Sequence, residues 1–341
     1  MCAAMSAELV ARFNAALAHR LPRLTAPHTQ ALRLFNGYTE GFPRVAVDLY
    51  GTTLVLHDAT SRAGDRDALQ ALVDAARAAM PWLATALWKR RESVSQDERN
   101  GNLLFGTEAQ LTRKVQEDGV WYTTRLTLNR DASLYLDTAP LRAWAKRTLQ
   151  GKRVLNAFAY TGSLGVAAMA AGAERVVHND LNNTFLTVAK DSYALNRFPV
   201  ARKDFMAGDF FDVIGRLKRE APLFDCVFVD PPFFSVTEKG RVDLEQDMER
   251  LLDKVRPLIA HGGFLVAINN GVFVPGVEFQ KTLDAVCAGG YSTFEARIDV
   301  PQDFVGYSDT KLAGLPIDPA PFNHSTKIAV LKVVRKDGRT R

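Results

Sequence analysis

Cysteine is scarce in this chain, with three among 341 residues: Cys2, Cys226 and Cys287. Cysteines this few and this far apart exclude a disulfide framework and form no Cys-x-x-Cys metal pair. Long apolar runs are missing as well, since no segment approaches the roughly 20 residues that a membrane-spanning helix requires. The N-terminus carries Glu8, which is not typical of a signal peptide. We therefore expect a cytoplasmic protein with no metal and no membrane contact.

The composition is typical of a globular protein, with 47% hydrophobic and 24% charged residues. The length predicts two domains, because single cores rarely grow beyond roughly 250 to 300 residues. A net charge of +5 mildly favours a polyanionic partner such as RNA. Basic clusters at 89–91, 113–114 and 332–341 could contact phosphates or form solvated surface. The sequence does not distinguish a monomer from a homodimer.

The second part of the chain alternates apolar runs with amphipathic segments, which is typical of parallel β/α units. Strands are predicted at 153–158, 175–179, 204–207, 224–229 and 264–268. Helices are predicted at 163–171, 184–196 and 244–259, the last ended by Gly262-Gly263. A final strand pair at 293–300 and 327–334 is joined by a long loop. We expect residues 131–341 to form a seven-stranded, Rossmann-like α/β domain.

Residues 1–130 have the pattern of a smaller α+β domain. A helix at 9–17 precedes a small antiparallel set at 31–35, 44–48 and 53–57, punctuated by glycines. A helix at 68–79 and a strand at 84–90 follow. The segments 120–128 and 134–137 predict a hairpin that leads into the second sheet. We interpret this part as an accessory, substrate-binding domain with a linking hairpin.

The first strand of the second domain ends in a glycine-containing loop, residues 156–165, that leads directly into a helix. Gly162 lets the backbone approach a ligand closely, and the helix N-terminus offers unpaired N–H groups. The spacing is not Gly-x-Gly-x-x-Gly, so a pyrophosphate is not indicated. A tight turn without a ligand is the alternative.

Carboxylates follow the next two strands. Asp180, roughly 20 residues further on, can accept both ribose hydroxyls of an adenosine ligand. It could equally cap the next helix, although Asn182 and Asn183 are available for that role. Asp209 can accept the adenine amino group, with Phe210 against the adenine ring. Because ligands of open α/β sheets bind at the carboxyl edge of the strands, this series predicts an adenosine-containing cofactor.

The fourth strand ends in Asp230-Pro231-Pro232-Phe233. Proline has no N–H and a fixed φ, so the carbonyls here are free to accept hydrogen bonds from a ring amine. Phe233 or Phe234 could then stack on the ring. The alternative is that the two prolines only end a strand. The position after the cofactor series favours a wall between the cofactor and a bound heterocycle.

In this order, the motifs resemble the cofactor site of class I S-adenosylmethionine-dependent methyltransferases. They are most similar to bacterial 23S ribosomal RNA large-subunit methyltransferases, which make 5-methylcytosine or N7-methylguanine. The family's Phe-x-Tyr-Thr-Gly is matched at 158–162, its Leu-Asp at 136–137 and its Asp-Pro-Pro-x-Phe at 230–234. Residues 40–43 and 48–51 resemble the family's accessory domain.

The residues and the resemblance together indicate two sets of site residues. The S-adenosylmethionine site would contain Asp137, Asn156, Phe158, Tyr160, Thr161, Gly162, Ser163, Asp180, Leu181, Asp209, Phe210 and Asp230. The catalytic and target-base site would contain Asp230, Pro231, Phe233, Phe234 and Asn269. In these assignments the loop from Tyr160 to Ser163 holds the methionine end of the cofactor.

The family's cytosine-C5 members carry a nucleophilic cysteine after the fifth strand, because C5 must be activated by covalent addition. This chain has Asn269-Asn270 there, and Cys226 lies inside a buried strand. Together with residues 302–304, the asparagines resemble the N7-guanine branch. We therefore expect methyl transfer to a nucleobase nitrogen, chiefly of guanine in ribosomal RNA, driven by proximity and orientation without a covalent cysteine intermediate.

The long loop 301–326 is expected to act as a lid or to hold substrate, with Asp303, Phe304, Asn323 and His324 as its working residues. His324 could act as a general base; the alternative is that it is a solvated or structural histidine. The RNA-binding module that often precedes this fold is not recognisable, which weakens the prediction of RNA more than that of methyl transfer. The remaining alternatives are a methyltransferase of small molecules or proteins and a catalytically silent RNA-binding homologue.

Overall fold

The computed structural model describes residues 2–59, 66–220, 222–237, 240–243 and 247–340. They divide into two compact units. The first comprises the chain up to Leu136 together with Pro301–Leu315, and the second comprises Asp137–Val300 and the chain from Pro316 onward. The sequence had placed the boundary after residue 130 and all of 301–315 in the second domain. No helix of the described residues has the length and apolarity that crossing a membrane requires.

The first unit is built on a five-stranded sheet in the order β1-β2-β3-β4-β5, with a separate β6-β7 hairpin. Its elements are α1 (Cys2–Ala18), β1 (Ala31–Phe35), β2 (Val45–Tyr50), β3 (Thr53–Asp58), α2 (Arg66–Ala79), β4 (Thr85–Arg90), α3 (Gln96–Asn100), β5 (Asn102–Phe105), β6 (Lys114–Glu117) and β7 (Val120–Thr123). Helix α2 buries Leu69, Leu72, Val73 and Ala76, a spacing of three and four residues that defines one helical face.

Strands β1, β2 and β3 pair antiparallel, as expected, and β4 lies parallel to β3 because α2 provides the crossover between them. One expectation for this unit was wrong. The predicted hairpin does not lead into the second sheet: β7 pairs with β6 instead. No strand forms at 134–137, where Leu134 and Leu136 are buried and the Tyr50 hydroxyl donates to the Leu134 carbonyl at 2.8 Å. Burial of alternate side chains produced the strand-like pattern there.

The second unit contains a seven-stranded sheet in the order β10-β9-β8-β11-β14-β16-β15. Its elements are α4 (Ala139–Thr148), β8 (Arg153–Ala157), α5 (Ser163–Ala170), β9 (Arg175–Asp180), α6 (Asn183–Leu195), β10 (Phe205–Ala207), α7 (Phe210–Glu220), β11 (Phe224–Val229), β12 (Phe234–Thr237), β13 (Gly240–Asp243), α8 (Met248–Val255), β14 (Ile259–Asn269), α9 (Gly276–Ala288), β15 (Ser292–Arg297) and β16 (Lys327–Val333). Strand β16 is antiparallel to both neighbours, and β8, β9, β10, β11 and β14 are parallel.

This arrangement confirms the predicted Rossmann-like, class I sheet. The apolar strands are covered on both faces, by one cluster that includes α7, α8 and α9 and another that includes α4 and α5. The sequence had not predicted α7 and α9. It was also wrong to end a helix at Gly262-Gly263, because β14 already begins at Ile259. A Cβ on Gly263 would lie 2.8 Å from the Asp225 carbonyl oxygen, so glycine serves close strand approach there.

The segment Pro301–Leu315 leaves the second unit after Val300 and includes the short helix α10 (Gln302–Val305). Asp303 and Phe304 are buried in the first unit. The Asp303 carboxylate accepts hydrogen bonds from Arg23 at 2.6 and 2.7 Å and from the Tyr307 hydroxyl at 2.9 Å. Both residues therefore stabilise the first unit, which corrects their expected role as working residues of a lid or substrate-holding loop.

Candidate active site at the carboxyl edge of the second sheet

The five parallel strands end at one edge of the second sheet, where an open α/β fold binds its ligands. The antiparallel strand β16 begins at this same edge, because Lys327 pairs with Asn269 at the end of β14. Asp180 is the last residue of β9, and Asp230 directly follows β11. The topology therefore brings together residues from distant parts of the sequence.

The loop between β8 and α5 has an unusual backbone. Phe158 and Tyr160 have positive φ angles of 56° and 49°, and Gly162 at the start of α5 has φ 77°. A non-glycine residue in this region costs roughly 1–3 kcal/mol and persists only where its surroundings hold it. The Tyr160 N–H donates to the Asp180 carboxylate at 2.7 Å, which ties the loop to β9. Such stored strain is typical of a ligand-binding loop.

Asp180 accepts a second hydrogen bond, at 2.8 Å, from the Asn182 N–H. Its pKa is raised by burial, and the two backbone hydrogen bonds partly oppose that rise. Asn182 caps α6 by accepting from the Thr184 N–H at 2.8 Å, as the sequence suggested. Leu181 is 60% exposed beside it. The Asp180 carboxylate is thus free of the helix-capping role and is held against the strained loop.

The next strand tip carries Asp209, whose carboxylate accepts the Phe211 N–H at 2.8 Å in the first turn of α7. Phe210 is buried and its ring stacks on Phe158 with 4.5 Å between centroids. Asn156 is buried as well and hydrogen-bonds the ring of His178. These side chains support the strand tips from inside the unit. Thr161 and Ser163 continue the loop into α5.

Asp230 has an enclosed carboxyl group. Its Oδ1 is buried and has no hydrogen-bond partner among the described residues. Burial, with a smaller contribution from the negative charge of Asp137, raises the pKa of Asp230 to about 8. The Asp137 carboxylate accepts the Thr326 hydroxyl at 2.6 Å. An unsatisfied, perturbed carboxyl at the ligand-binding edge of a sheet marks a candidate functional group.

The residues after Asp230 differ in exposure. Pro231 is buried, whereas Phe233 is 46% exposed and presents its ring at the surface. The side chain of Phe234 lies outside the described residues. Stacking of Phe233 or Phe234 on the target base therefore stays a prediction. The first three residues of the predicted helix 244–259, residues 244–246, also lie outside them.

Two buried polar residues, Asn269 at the end of β14 and Lys327 at the start of β16, pair with each other in the sheet. The Asn269 side chain accepts the Gly271 N–H at 3.0 Å and so holds the turn after β14. The Lys327 ammonium donates to the carbonyls of Gly271 and Ser325, and burial lowers its pKa to about 8. Sequence reasoning missed Lys327, although a lysine that opens a long apolar strand was an available signal.

The remaining expected residues have structural contacts. Asn323 bonds both the N–H and the carbonyl of Val300, and the His324 Nδ1 accepts the Thr326 N–H. Lys89 is fully buried and donates to the carbonyls of Asn100 and Asn129, which contradicts a phosphate contact there. Cationic side chains in the other two basic clusters are exposed: Arg113, Lys114, Lys332, Lys336 and Arg339. No group of three potential metal ligands occurs within the described ranges.

Comparisons with known proteins were made by sequence and by structure. The putative ribosomal RNA large subunit methyltransferase YwbD of Bacillus subtilis is 27% identical over 283 residues, 82% of this chain and 71% of that protein. Ribosomal RNA large subunit methyltransferase K/L of Chromohalobacter salexigens is 33% identical over 251 residues, 70% of this chain but only 33% of that protein. The chain thus spans about a third of this second relative.

A solved structure shares the fold. The crystal structure of SMU.776, a putative methyltransferase complexed with SAH, superposes with a TM-score of 0.82 at 22% identity, covering 96% of this chain and 82% of that one. The model of the S-adenosylmethionine-dependent methyltransferase family matches residues 32–315. The match includes the strained loop, Asp180, Asp230 and Asn269. The chain therefore belongs to the S-adenosylmethionine-dependent methyltransferases, and its cofactor is S-adenosylmethionine.

Proposed function

We propose that this methyltransferase modifies a nucleobase nitrogen in RNA, with guanine of ribosomal RNA as the substrate. The observation that carries the proposal is the buried Asp230 Oδ1, which has no partner among the described residues, in the same Asp-Pro-Pro segment as the exposed ring of Phe233. This pair offers a hydrogen bond and a stacking face to one planar heterocycle. Both relatives are named as ribosomal RNA large subunit methyltransferases, which supports this substrate.

The cofactor site would be formed by the three strand tips. S-adenosylmethionine supplies the electrophilic methyl group. Asp180 would accept the ribose hydroxyls, Asp209 the adenine amino group, and the loop from Tyr160 to Ser163 would hold the methionine end. Asp137, Asn156, Phe158, Leu181 and Phe210 would line or support this site. Partial burial of Asp180 and Asp209 makes each such hydrogen bond stronger than in water, because the surrounding dielectric constant is lower.

The target base would lie against Asp230, Pro231 and Phe233, flipped out of its stack. A nitrogen lone pair attacks the methyl carbon in line, so one N–C bond forms as the S–C bond breaks. No covalent addition to the enzyme is needed. Cys226 is fully buried and burial raises the pKa of its thiol, which argues against a cysteine nucleophile. Asn269 would act through the turn that it holds.

Radiolabelled methyl transfer tests the proposal directly. The purified protein is incubated with labelled S-adenosylmethionine and, in separate reactions, ribosomal RNA, a protein extract depleted of RNA, and an ultrafiltered metabolite extract. We expect label in ribosomal RNA, and nucleoside mass spectrometry should place it on a guanine nitrogen. Label confined to protein or metabolites would overturn the RNA assignment. Label at C5 of cytosine would overturn the nitrogen assignment alone.

The cofactor site is tested by Asp180→Ala. We expect S-adenosylmethionine to bind at least about tenfold more weakly by calorimetry, since one hydrogen bond to a charged group contributes about 1.5–3 kcal/mol. Asp284→Ala is the matched control, because Asp284 is an exposed acid on α9 whose carboxylate accepts a hydrogen bond from Gln280 on the same helix. Equal affinity of the two variants would reject the assignment of Asp180.

A further inference from the structure

We infer that His178 is a positioning residue for the cofactor-binding loop. Its imidazole fixes the distance between strand β9 and the backbone from Gly162 to Gly165. The inference rests on the proposed cofactor site. It goes beyond that site because His178 is fully buried and belongs to neither set of expected site residues. Its ring acts on the cofactor through the two glycines.

The ring fills the space that side chains at both glycine positions would need. A Cβ on Gly165 would lie 2.2 Å from Cε1 and 2.8 Å from Nε2 of His178. A Cβ on Gly162 would lie 3.1 Å from Cε1 and 2.5 Å from the Ala189 Cβ. Real Cβ atoms do not come within 3.0 Å of a non-bonded heavy atom, so the His178 ring excludes a side chain at Gly165, where Val176 Cγ1 at 2.9 Å narrows the same space. At Gly162 the Ala189 Cβ excludes a side chain, and the ring packs tightly beside it. Gly165 and His178 therefore fit only as a pair.

Hydrogen bonds fix the orientation of the ring. Nδ1 lies 3.4 Å from the Asn156 amide nitrogen, and Nε2 lies 2.9 Å from the Tyr193 hydroxyl. Because an amide nitrogen only donates, Nδ1 accepts and the proton lies on Nε2. Phe205 stacks on the ring with planes 10° apart. Asn156 also pairs with His178 in the register of β8 and β9, so the ring joins both strands.

A fixed, uncharged His178 ring is suited to holding the loop at a constant distance from β9. Burial lowers the pKa of His178 to about 3, so the ring stays neutral at physiological pH and moves no proton. The loop above it contains the positive φ angles of Phe158 and Tyr160, and such strain persists only where neighbouring groups hold the backbone. The Asp180 carboxylate holds the Tyr160 N–H, and the His178 ring supports the glycines.

The first test compares His178→Ala with Val177→Ala, the neighbouring buried residue that belongs to the core cluster of the opposite sheet face. We expect His178→Ala to raise the Kd and KM for S-adenosylmethionine at least tenfold, with kcat at saturating cofactor changed less than threefold. Val177→Ala should lower the unfolding temperature and leave the cofactor Kd unchanged. Loss of stability in both variants without a change in cofactor affinity would assign His178 a merely structural role.

If His178→Ala does not fold, His178→Gln replaces it, since glutamine keeps a hydrogen-bonding group but removes the ring. The cofactor Kd should again rise at least tenfold, and an unchanged Kd in this variant would overturn the inference. Calorimetric binding of S-adenosylmethionine needs no RNA. Failure of the RNA assignment and failure of this inference are therefore distinguishable.

A double-mutant cycle tests the steric coupling. Gly165→Ala should abolish measurable cofactor binding in the presence of His178, because the new methyl group would overlap the ring. In the His178→Ala background the ring is gone, so cofactor binding by the double variant should be measurable. Gly165→Ala should then cost at least tenfold less affinity than it does in the wild-type background. The same loss in both backgrounds would overturn the inference.

Discussion

At the scale of single residues, an enclosed oxygen without a donor is an energetic liability, and Asp230 carries one among the described side chains. Leaving such a group unsatisfied costs roughly 1–3 kcal/mol, and more when it is charged. The raised pKa, about 8, reduces this cost because the carboxyl group stays protonated at neutral pH. A protonated Asp230 can donate one hydrogen bond and accept another from a nucleobase edge.

Asp230 should make stability depend on pH. Its folded-state pKa of about 8 lies above the ordinary value of 3.8, so the folded protein binds the extra proton between these limits. The stabilisation is complete below about pH 4 and is lost as pH rises through 8. We expect Asp230→Asn to unfold at the same temperature as the wild type near pH 4. At pH 8.5 it should unfold at least about 2–4 °C higher, the shift that roughly 1 kcal/mol produces in a domain of this size.

Calorimetric scans of the cofactor-free proteins across this range measure the effect. Asp253→Asn serves as the control, because Asp253 is a solvent-facing acid paired with Arg256 on the same helical segment. Its difference from the wild type should stay near zero throughout. A difference for Asp230→Asn that does not change with pH would contradict the assigned pKa.

At the scale of elements, the segment Pro301–Leu315 supplies the first unit with charge that its buried arginine needs. Arg20 is fully buried, donates to the Asp303 carbonyl at 2.9 Å and lies 3.4 Å from the Asp303 carboxylate. Asn36 donates to the Phe304 carbonyl at 2.7 Å, and Arg33 lies 4.1 Å above the Phe304 ring. Such a segment is integral to the fold of the first unit.

Removal of the Asp303 charge should therefore be severe. We expect Asp303→Asn to lower the free energy of unfolding by about 3–5 kcal/mol, because it leaves a buried guanidinium without its nearest counter-charge. Denaturant titration measures the change. Asp309→Asn, in the same segment, removes an exposed acid paired with His19 and should cost less than about 1 kcal/mol. Similar losses in the two variants would show that the Arg20 environment tolerates the missing charge.

At the scale of the whole molecule, the net charge of +5 is consistent with a polyanionic substrate, but the structure restricts which cations are available. Lys89 is fully buried, and the side chains of Arg90 and Arg91 pair with Glu98 and Asp131. Arg113 and Lys114 are exposed near the β6-β7 hairpin. The hairpin is therefore the candidate phosphate-binding element of the first unit.

Salt dependence measures phosphate contacts directly. If Arg113 and Lys114 contact RNA, the double variant Arg113→Glu/Lys114→Glu should weaken filter binding severalfold at low salt. The slope of log Kd plotted against the logarithm of the salt concentration should decrease by about 0.7 for each lost contact to single-stranded RNA. Lys281→Glu, an exposed lysine on α9 paired with Glu278, is the control and should retain the wild-type slope. Parallel slopes for all three proteins would remove the hairpin from the RNA-binding surface.

Sequence reasoning reached the seven-stranded sheet with its five parallel strands and final strand pair, the family, and the positions where the strands end. These features depend on local patterns: apolar runs predict buried strands, and motifs such as 158–162 and 230–234 mark the ends of two strands. It failed for α7 and α9 and for the glycines in β14. Both helices are flanked by glycine or proline, which obscures their helical periodicity, and a glycine that permits close strand packing has the same appearance in the sequence as one that ends a helix.

The sequence by itself determined the class of the protein, because repeated β/α segments can bury their apolar faces only in a few layered arrangements. The tertiary structure alone decided which polar groups are enclosed and with what partners. Asp137 meets Thr326, Arg23 meets Asp303, and His178 lies beneath Gly165. Burial and electrostatic shifts depend on such contacts between residues that are far apart in the chain, and no local pattern records them.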